Sequence, residues 1–206
     1  MKTRLPILVD RSVREAKASR LTIAENYEVQ LRARLAEEGL NVACKKGCAN
    51  CCYHPLYISL LEGVSLFQWL SDNGLWTEKL RQQFEAVSES VRELAPEVWA
   101  LSLIPCPLLD LKNKTCRAYT SRPFSCRITF SIGDPEECHP HRLGPGRLPK
   151  QELFEGMANI ETSLLKRHRL SLISLPLATA VLYGEKIARG EIELEDCTYA
   201  VLWRAP

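Results

Sequence analysis

Residues 44–52 read Cys44-Lys-Lys-Gly-Cys48-Ala-Asn-Cys51-Cys52, four thiols within nine positions. Core packing alone does not call for that density, because a buried structural cysteine normally serves as a single small hydrophobe. The segment must therefore either pair its sulfurs as disulfides or turn them toward an inorganic centre. Gly47 allows a left-handed backbone turn, which lets Cys44 and Cys48 face a common point. A second set follows at Cys106, Cys116, Cys126 and Cys138, and Cys197 stands apart near the end. The spacing suggests that the first set is half of a metal site and the second completes it. The chain cannot be all regular helix through its middle: loops and a small hairpin are needed to gather these positions.

Composition decides between disulfides and metal. The N-terminus has an apolar run only from Leu5 to Val9, broken by Pro6, too short for a secretory signal. No run of about 18 apolar residues exists for a membrane span. The expected location is therefore cytoplasmic, where thiols are kept reduced and clustered cysteines bind metals more often than they cross-link. The odd count of nine cysteines also fits no closed disulfide framework. A net charge of +2 gives no argument for nucleic acid or an anionic membrane. Hydrophobic residues at 46% and charged residues at 25% suit a folded globular chain.

The pattern predicts an α+β protein, mostly α, with helices around a small cysteine-rich hairpin-and-loop metal core. A single domain over 1–206 divides into an N-terminal helical extension (1–40), a cysteine-cluster core (41–140) and C-terminal helices (148–206). Residues 1–10 read as extended. A helix is expected over Asp10–Glu38, capped by Asp10, with Val13, Ala16, Ala18, Leu21, Ala24, Val29, Leu31 and Leu35 as its apolar face and Gly39 as its stop. Ser59 and Glu62 form a capping box for a second helix to about Leu70, and Thr77 caps a third to Leu94. Trp99–Cys106 and Cys106–Asp110 read as strand-like. Residues 106–119 read as a hairpin with a cysteine on each arm, and Ser121–Arg127 as a tight turn. Loop is expected over Gly133–Pro149. Two helices follow, Leu148–Leu170 with Met157, Ile160, Leu164 and Leu165 inward, and Leu172–Arg189 with Pro176 near its first turn and Gly190 at its end.

A thiolate donor set favours zinc or an iron–sulfur cluster over calcium or magnesium. A structural zinc takes four ligands, and a [4Fe–4S] cluster also takes four thiolates. Eight thiols suffice for two of either, and the spacing alone does not choose. Adjacent Cys51 and Cys52 are expected to point in different directions, so that Cys52 would either support the fold or reach a second metal. Lys45, Lys46, Arg117, Arg122 and Arg127 flank the thiols, where positive charge stabilises thiolates. His54, His139 and His141 are further candidate ligands, while His168 lies in a basic helix.

Cys44-x3-Cys48-x2-Cys51-Cys52, Cys106-Pro107-Leu108-Leu109, Cys116-Arg-Ala-Tyr119 and Arg122-Pro123-x2-Cys126-Arg127 together resemble the YkgJ-type cysteine-cluster family, described as zinc- or iron-chelating domains. The resemblance spans about residues 44–138. It implies that Cys44, Cys48, Cys51, Cys52, Cys106, Cys116, Cys126 and Cys138 are the metal-binding set, holding an iron–sulfur cluster or zinc. One relative, a flagellin lysine methylase, implies that S-adenosylmethionine chemistry on a protein or peptide lysine can accompany such a cluster. A cluster-dependent enzyme with a protein or peptide substrate is thus the alternative to a non-catalytic metal protein. Cys44-x3-Cys48-x2-Cys51 also fits the radical S-adenosylmethionine motif. Against membership stand Asn50 where that superfamily has an aromatic, the helices expected after the loop, and the about 150 residues that follow, short for an α/β barrel of about 250. No glycine-rich phosphate loop is present.

Overall fold

The computed structural model describes residues 7–40, 42–45, 47–132, 135–139, 147–148, 159, 162–163, 166 and 172–197. Its helices are α1 (Ile7–Glu37), α2 (Leu60–Asp72), α3 (Glu78–Val91), α4 (Pro96–Leu101), α5 (Phe124–Ile128) and α6 (Leu177–Ala188). Six short strands, β1 (Tyr57–Ser59), β2 (Leu109–Asp110), β3 (Thr115–Cys116), β4 (Phe130–Ser131), β5 (Arg147–Leu148) and β6 (Ser174–Pro176), pair as three antiparallel ribbons, β1 with β6, β2 with β3 and β4 with β5. The mostly helical α+β class expected from the sequence is what the structure has.

The scaffold is the packing of α2 against α6, with α3 beside them. It works because glycine meets backbone at the crossing. A Cβ on Gly63 would lie 2.2 Å from the Ala180 carbonyl oxygen, and one on Gly184 would lie 2.6 Å from the Gly63 carbonyl carbon. With both Cβ atoms absent, Val64, Leu61, Leu70, Val181 and Ile187 interlock as a fully buried core. At about 25 cal/mol per Å² of apolar area, this burial is the main stabilising term of the fold.

Local signals account for most of the boundaries. Ser59 accepts from the Glu62 amide at 3.2 Å while the Glu62 carboxylate accepts from the Ser59 amide, the reciprocal box that starts α2. Thr77 accepts from the Leu80 amide at 3.2 Å and starts α3. Gly39 adopts φ +70°, and the Leu40 amide reaches back to the Leu35 carbonyl at 2.7 Å, closing α1.

Several expectations are corrected. Residues from Ile7 onward are already helical, so Asp10 lies within α1 and not before it. The buried stripe of α1 runs Val13, Ala16, Arg20, Ala24, Tyr27, Leu31, Leu35, at spacings of three and four, while Ala18 and Val29 face outward. Residues 96–101 form α4 and not a strand, because Pro96 at the first helical position with Glu97 beside it starts a turn. Cys106 precedes the β2–β3 hairpin, leaving Cys116 as the one cysteine on an arm. Phe124–Ile128 is a short helix where a tight turn was expected. The expected loop over 133–149 contains a 3₁₀ turn at Pro135–Cys138 and strand β5. Ser174–Pro176 pairs with β1, so α6 starts at Leu177 and not at Leu172, with Pro176 as the residue just before it. The helix predicted over 148–170, with Met157, Ile160, Leu164 and Leu165, lies outside the described residues except at scattered positions, as do His141, His168 and Lys46.

Candidate metal centre

Three chain segments converge to build the site. The first is the cysteine loop. Gly47 takes φ +95°, the Cys48 amide bonds the Lys45 carbonyl at 3.1 Å, and residues Asn50–Tyr53 wind into a 3₁₀ turn carrying Cys51 and Cys52. The second is the hairpin segment, joined to the first by the Cys106 amide bonding the Cys52 carbonyl at 2.8 Å. Within it, the Asp110 carboxylate accepts the Lys112 and Asn113 amides, which tightens the turn and sets Cys116 opposite Leu109. The third is α5, carrying Cys126. Its first amide, Phe124 N, donates to Glu62 Oε1 at 2.7 Å, supplying the cap that Pro123 cannot. Glu62 in turn faces Arg20 of α1 at 3.7 Å, and Arg20 donates to Ser59 at 2.9 Å.

The result is a cavity of about 400 Å³ whose wall holds six thiols, Cys48, Cys51, Cys52, Cys106, Cys116 and Cys126. Both cysteine sets therefore meet, although they are far apart in sequence. Cys44 and Cys138 stand behind this wall. Cys44 Sγ accepts the Ser131 amide at 3.0 Å, and Cys138 is buried with its carbonyl 2.6 Å from His54 Nε2. Asn50 ties the two regions together by donating to the Pro135 carbonyl at 2.8 Å. All nine cysteines are free thiols. Cys197 bonds the Glu193 carbonyl at 3.4 Å, in the core beside Tyr183.

Burial controls the chemistry of these thiols. It pushes Cys44 up to about 11, against the relief given by the Ser131 amide. It pushes Cys106 up to about 12. Burial also raises Cys116 and Cys126, with neighbouring sulfurs adding to the effect and Arg122 opposing it in both. Cys52 is pushed up first by its hydrogen bond with the Cys51 side chain and then by burial. Without metal, these groups are neutral at pH 7. A cation is what would make thiolates of them, and its binding would release their protons.

The flanking polar residues divide by role. His54 Nε2 is committed to the Cys138 carbonyl and staples the loop to the second set. His139 packs its ring on Tyr53 with centroids 6.3 Å apart. Lys45 is exposed, and Arg117 reaches away to Gln83 at 3.3 Å. Arg127 donates to the Arg122 and Thr120 carbonyls and so shapes the loop before α5. Arg122 alone of these cations lines the thiol cavity.

The donor chemistry fits a thiophilic ion or cluster. The wall offers six sulfurs and no carboxylate, unsuited to calcium or magnesium. Among the described residues no three Cys, His, Asp or Glu side chains are already drawn together as a ligand set. Binding thus requires the thiol-bearing segments to close inward. Two groups escaped sequence reading. Glu62 was recognised as a helix cap but also anchors α5, and Ser125 sits on the cavity wall with a buried hydroxyl. Both depend on contacts between distant segments, and only the Ser125-Cys126 adjacency offered any hint.

A helical scaffold holding a thiol-lined cavity defines a cysteine-cluster metal-chelating protein. Residues 43–144 match the CxxCxxCC family, whose description reads "Putative zinc- or iron-chelating domain". The chain carries a domain of this family, the YkgJ-type cysteine cluster, over about half its length. No curated protein and no solved structure matches the chain. Among the described residues no helix is long and apolar enough to cross a membrane.

Proposed function

We propose that the chain holds an iron–sulfur cluster, its donors drawn from Cys44, Cys48, Cys51, Cys52, Cys106, Cys116, Cys126 and Cys138. The observation that carries this reading is the single cavity of about 400 Å³ walled by six of these thiols. One zinc with four sulfurs at about 2.3 Å would leave much of the space unfilled. A cluster is larger and takes its ligands from separated segments. When bound, such a group supplies one-electron chemistry or an iron for a ligand to occupy. The protein's part is to bring the sulfurs together, keep water and carboxylates away from them, and release their protons as the metal binds.

The test is anaerobic purification with iron and sulfide analysis and an absorption spectrum. Stoichiometric iron and sulfide with a broad band near ~400 nm are expected from thiolate ligation. Zinc at a fixed ratio without colour replaces the cluster by zinc, and a folded, metal-free protein that takes up neither ends the reading.

A second reading, a cluster-dependent enzyme acting on a protein or peptide with S-adenosylmethionine as a possible co-substrate, is favoured by one feature. The non-sulfur wall of the cavity is apolar, with Leu56, Leu108 and Leu177, and Tyr57 is 40% exposed at its side. That surface suits an organic ligand beside the metal. Cys126→Ala, tested with the loaded protein against candidate peptides, should abolish turnover while the α2–α6 scaffold persists.

A further inference from the structure

Arg122 and Ser125 are two polar groups on the thiol cavity whose hydrogen bonding is incomplete among the described residues. The Arg122 Nε donates to the Tyr119 carbonyl at 3.1 Å, and the guanidinium carbon lies 4.0 Å above the Tyr119 ring. These contacts fix the fork, and among the described residues its terminal nitrogens have neither a protein acceptor nor a carboxylate partner. Ser125 lies one position before Cys126. Its hydroxyl is wholly buried, lines the same cavity and has no hydrogen-bond partner. A buried hydroxyl left unpaired costs about 1–3 kcal/mol, so such a group calls for an occupant with lone pairs.

We propose that Arg122 and Ser125 serve the metal centre of this cavity as positioning residues, donating to its sulfurs and balancing its negative charge. The inference rests on the reading above that the cavity thiols hold a metal. Four thiolates around a cluster or a zinc carry net negative charge, and Arg122 is the half-buried cation that lines the cavity. Arg127 cannot take this role, because it donates to the carbonyls of the loop. Hydrogen bonds to ligand sulfurs and local charge are the means by which a protein tunes such a centre.

The test compares Arg122→Gln, Arg122→Lys and Ser125→Ala with wild type, each as the full chain with and without metal. In the metal-free protein Ser125→Ala should leave the melting temperature unchanged or raised, since it removes an unpaired hydroxyl. After anaerobic loading with iron and sulfide, Arg122→Gln and Ser125→Ala should keep the iron content. Their midpoint potentials should fall, each by at least about threefold in the oxidised-to-reduced equilibrium, because losing a donor or a positive charge disfavours the added electron. Arg122→Lys should recover most of the charge effect. If the chain takes up zinc instead, chelator competition should show about tenfold weaker binding for the same two variants. Wild-type potentials or zinc affinities in both variants overturn the proposal, as does a metal-free Ser125→Ala protein that is clearly destabilised. A chain that binds neither metal removes the underlying reading and this proposal together, whereas a loaded protein with unshifted variants removes this proposal alone.

Discussion

Glu62 is a residue whose removal the structure makes costly. Its carboxylate accepts from Phe124 N at 2.7 Å, reaches Ser59 N at 3.4 Å and faces Arg20 at 3.7 Å, and Arg20 is only 6% exposed. Glu62→Ala therefore leaves the Phe124 amide without its acceptor, about 1–3 kcal/mol, and opens the capping box, about 1 kcal/mol. It also strips the buried guanidinium of its carboxylate. Breaking a buried pair in this way costs about 3–5 kcal/mol, and because the three losses share one carboxylate they do not sum. The expected loss is thus about 3–5 kcal/mol, read from urea unfolding followed by circular dichroism. Glu62→Gln retains an acceptor for Phe124 and loses only the charge, so about 1–2 kcal/mol is expected. Arg20→Met combined with Glu62→Gln should lie closer to wild type than Glu62→Ala does, since removing both charges avoids the uncompensated one. A loss below about 1 kcal/mol for Glu62→Ala, or a double-mutant cycle with no coupling between Arg20 and Glu62, would refute the assignment of this trio as the junction of α1, α2 and α5.

Gly63→Ala should destabilise by about 3 kcal/mol or more, since the new methyl meets the Ala180 carbonyl at 2.2 Å and backbone cannot yield like a side chain; a thermal melt equal to wild type contradicts the close approach. Thr77→Ala should cost about 1 kcal/mol through loss of the bond to the Leu80 amide, measured the same way. The metal-free protein should weaken in alkali. Cys44 and Cys106 are raised from 9.0 to about 11 and about 12, so the unfolded chain gives up these protons first. Their contribution is complete below pH 9 and lost as pH rises through 11 to 12. A urea midpoint independent of pH above 9 argues against these thiols being buried and neutral. Below that range metal uptake should release protons and strengthen with pH, seen by titration in weakly buffered solution.

How much of this was legible depends on whether the cause was local. The capping box at Ser59 and Glu62, the cap at Thr77, and the left-handed Gly39, Gly47 and Gly190 are written in adjacent residues, and the chain obeys them. Strand β6 was read as helix because nothing within Ser174–Pro176 specifies a strand; its pairing partner Tyr57–Ser59 lies more than 110 residues earlier. Helix α4 was read as strand because a short apolar run carries no usable period. The five-residue α5 is too short to stand on propensity and is held by Glu62 from another helix. At the site, the cysteine spacing pointed to two sets of four, and six of those eight cysteines line one cavity. It could not announce that His54 would bond the Cys138 carbonyl, or that a charged Arg20 would occupy the buried stripe of α1.

Each thiol segment is also tied to the scaffold by a bond that needs no metal. Cys126 rides on α5, pinned by Glu62; Cys106 is joined to Cys52 through the backbone; Cys44 rests on the Ser131 amide; Cys138 is held by His54. The core formed by α2, α3 and α6 takes in Leu108 and Ala118 of the hairpin segment, and Cys106 and Cys116 pack against it. This differs from a small zinc module, whose chain has no core of its own and unfolds when the ion leaves. Here the helices supply the folding energy and the metal has only to close a cavity already lined with its donors. The centre is therefore free to carry uncomfortable chemistry, such as neutral crowded thiols, an unpaired hydroxyl and an unmatched guanidinium, because the stability of the fold is generated elsewhere.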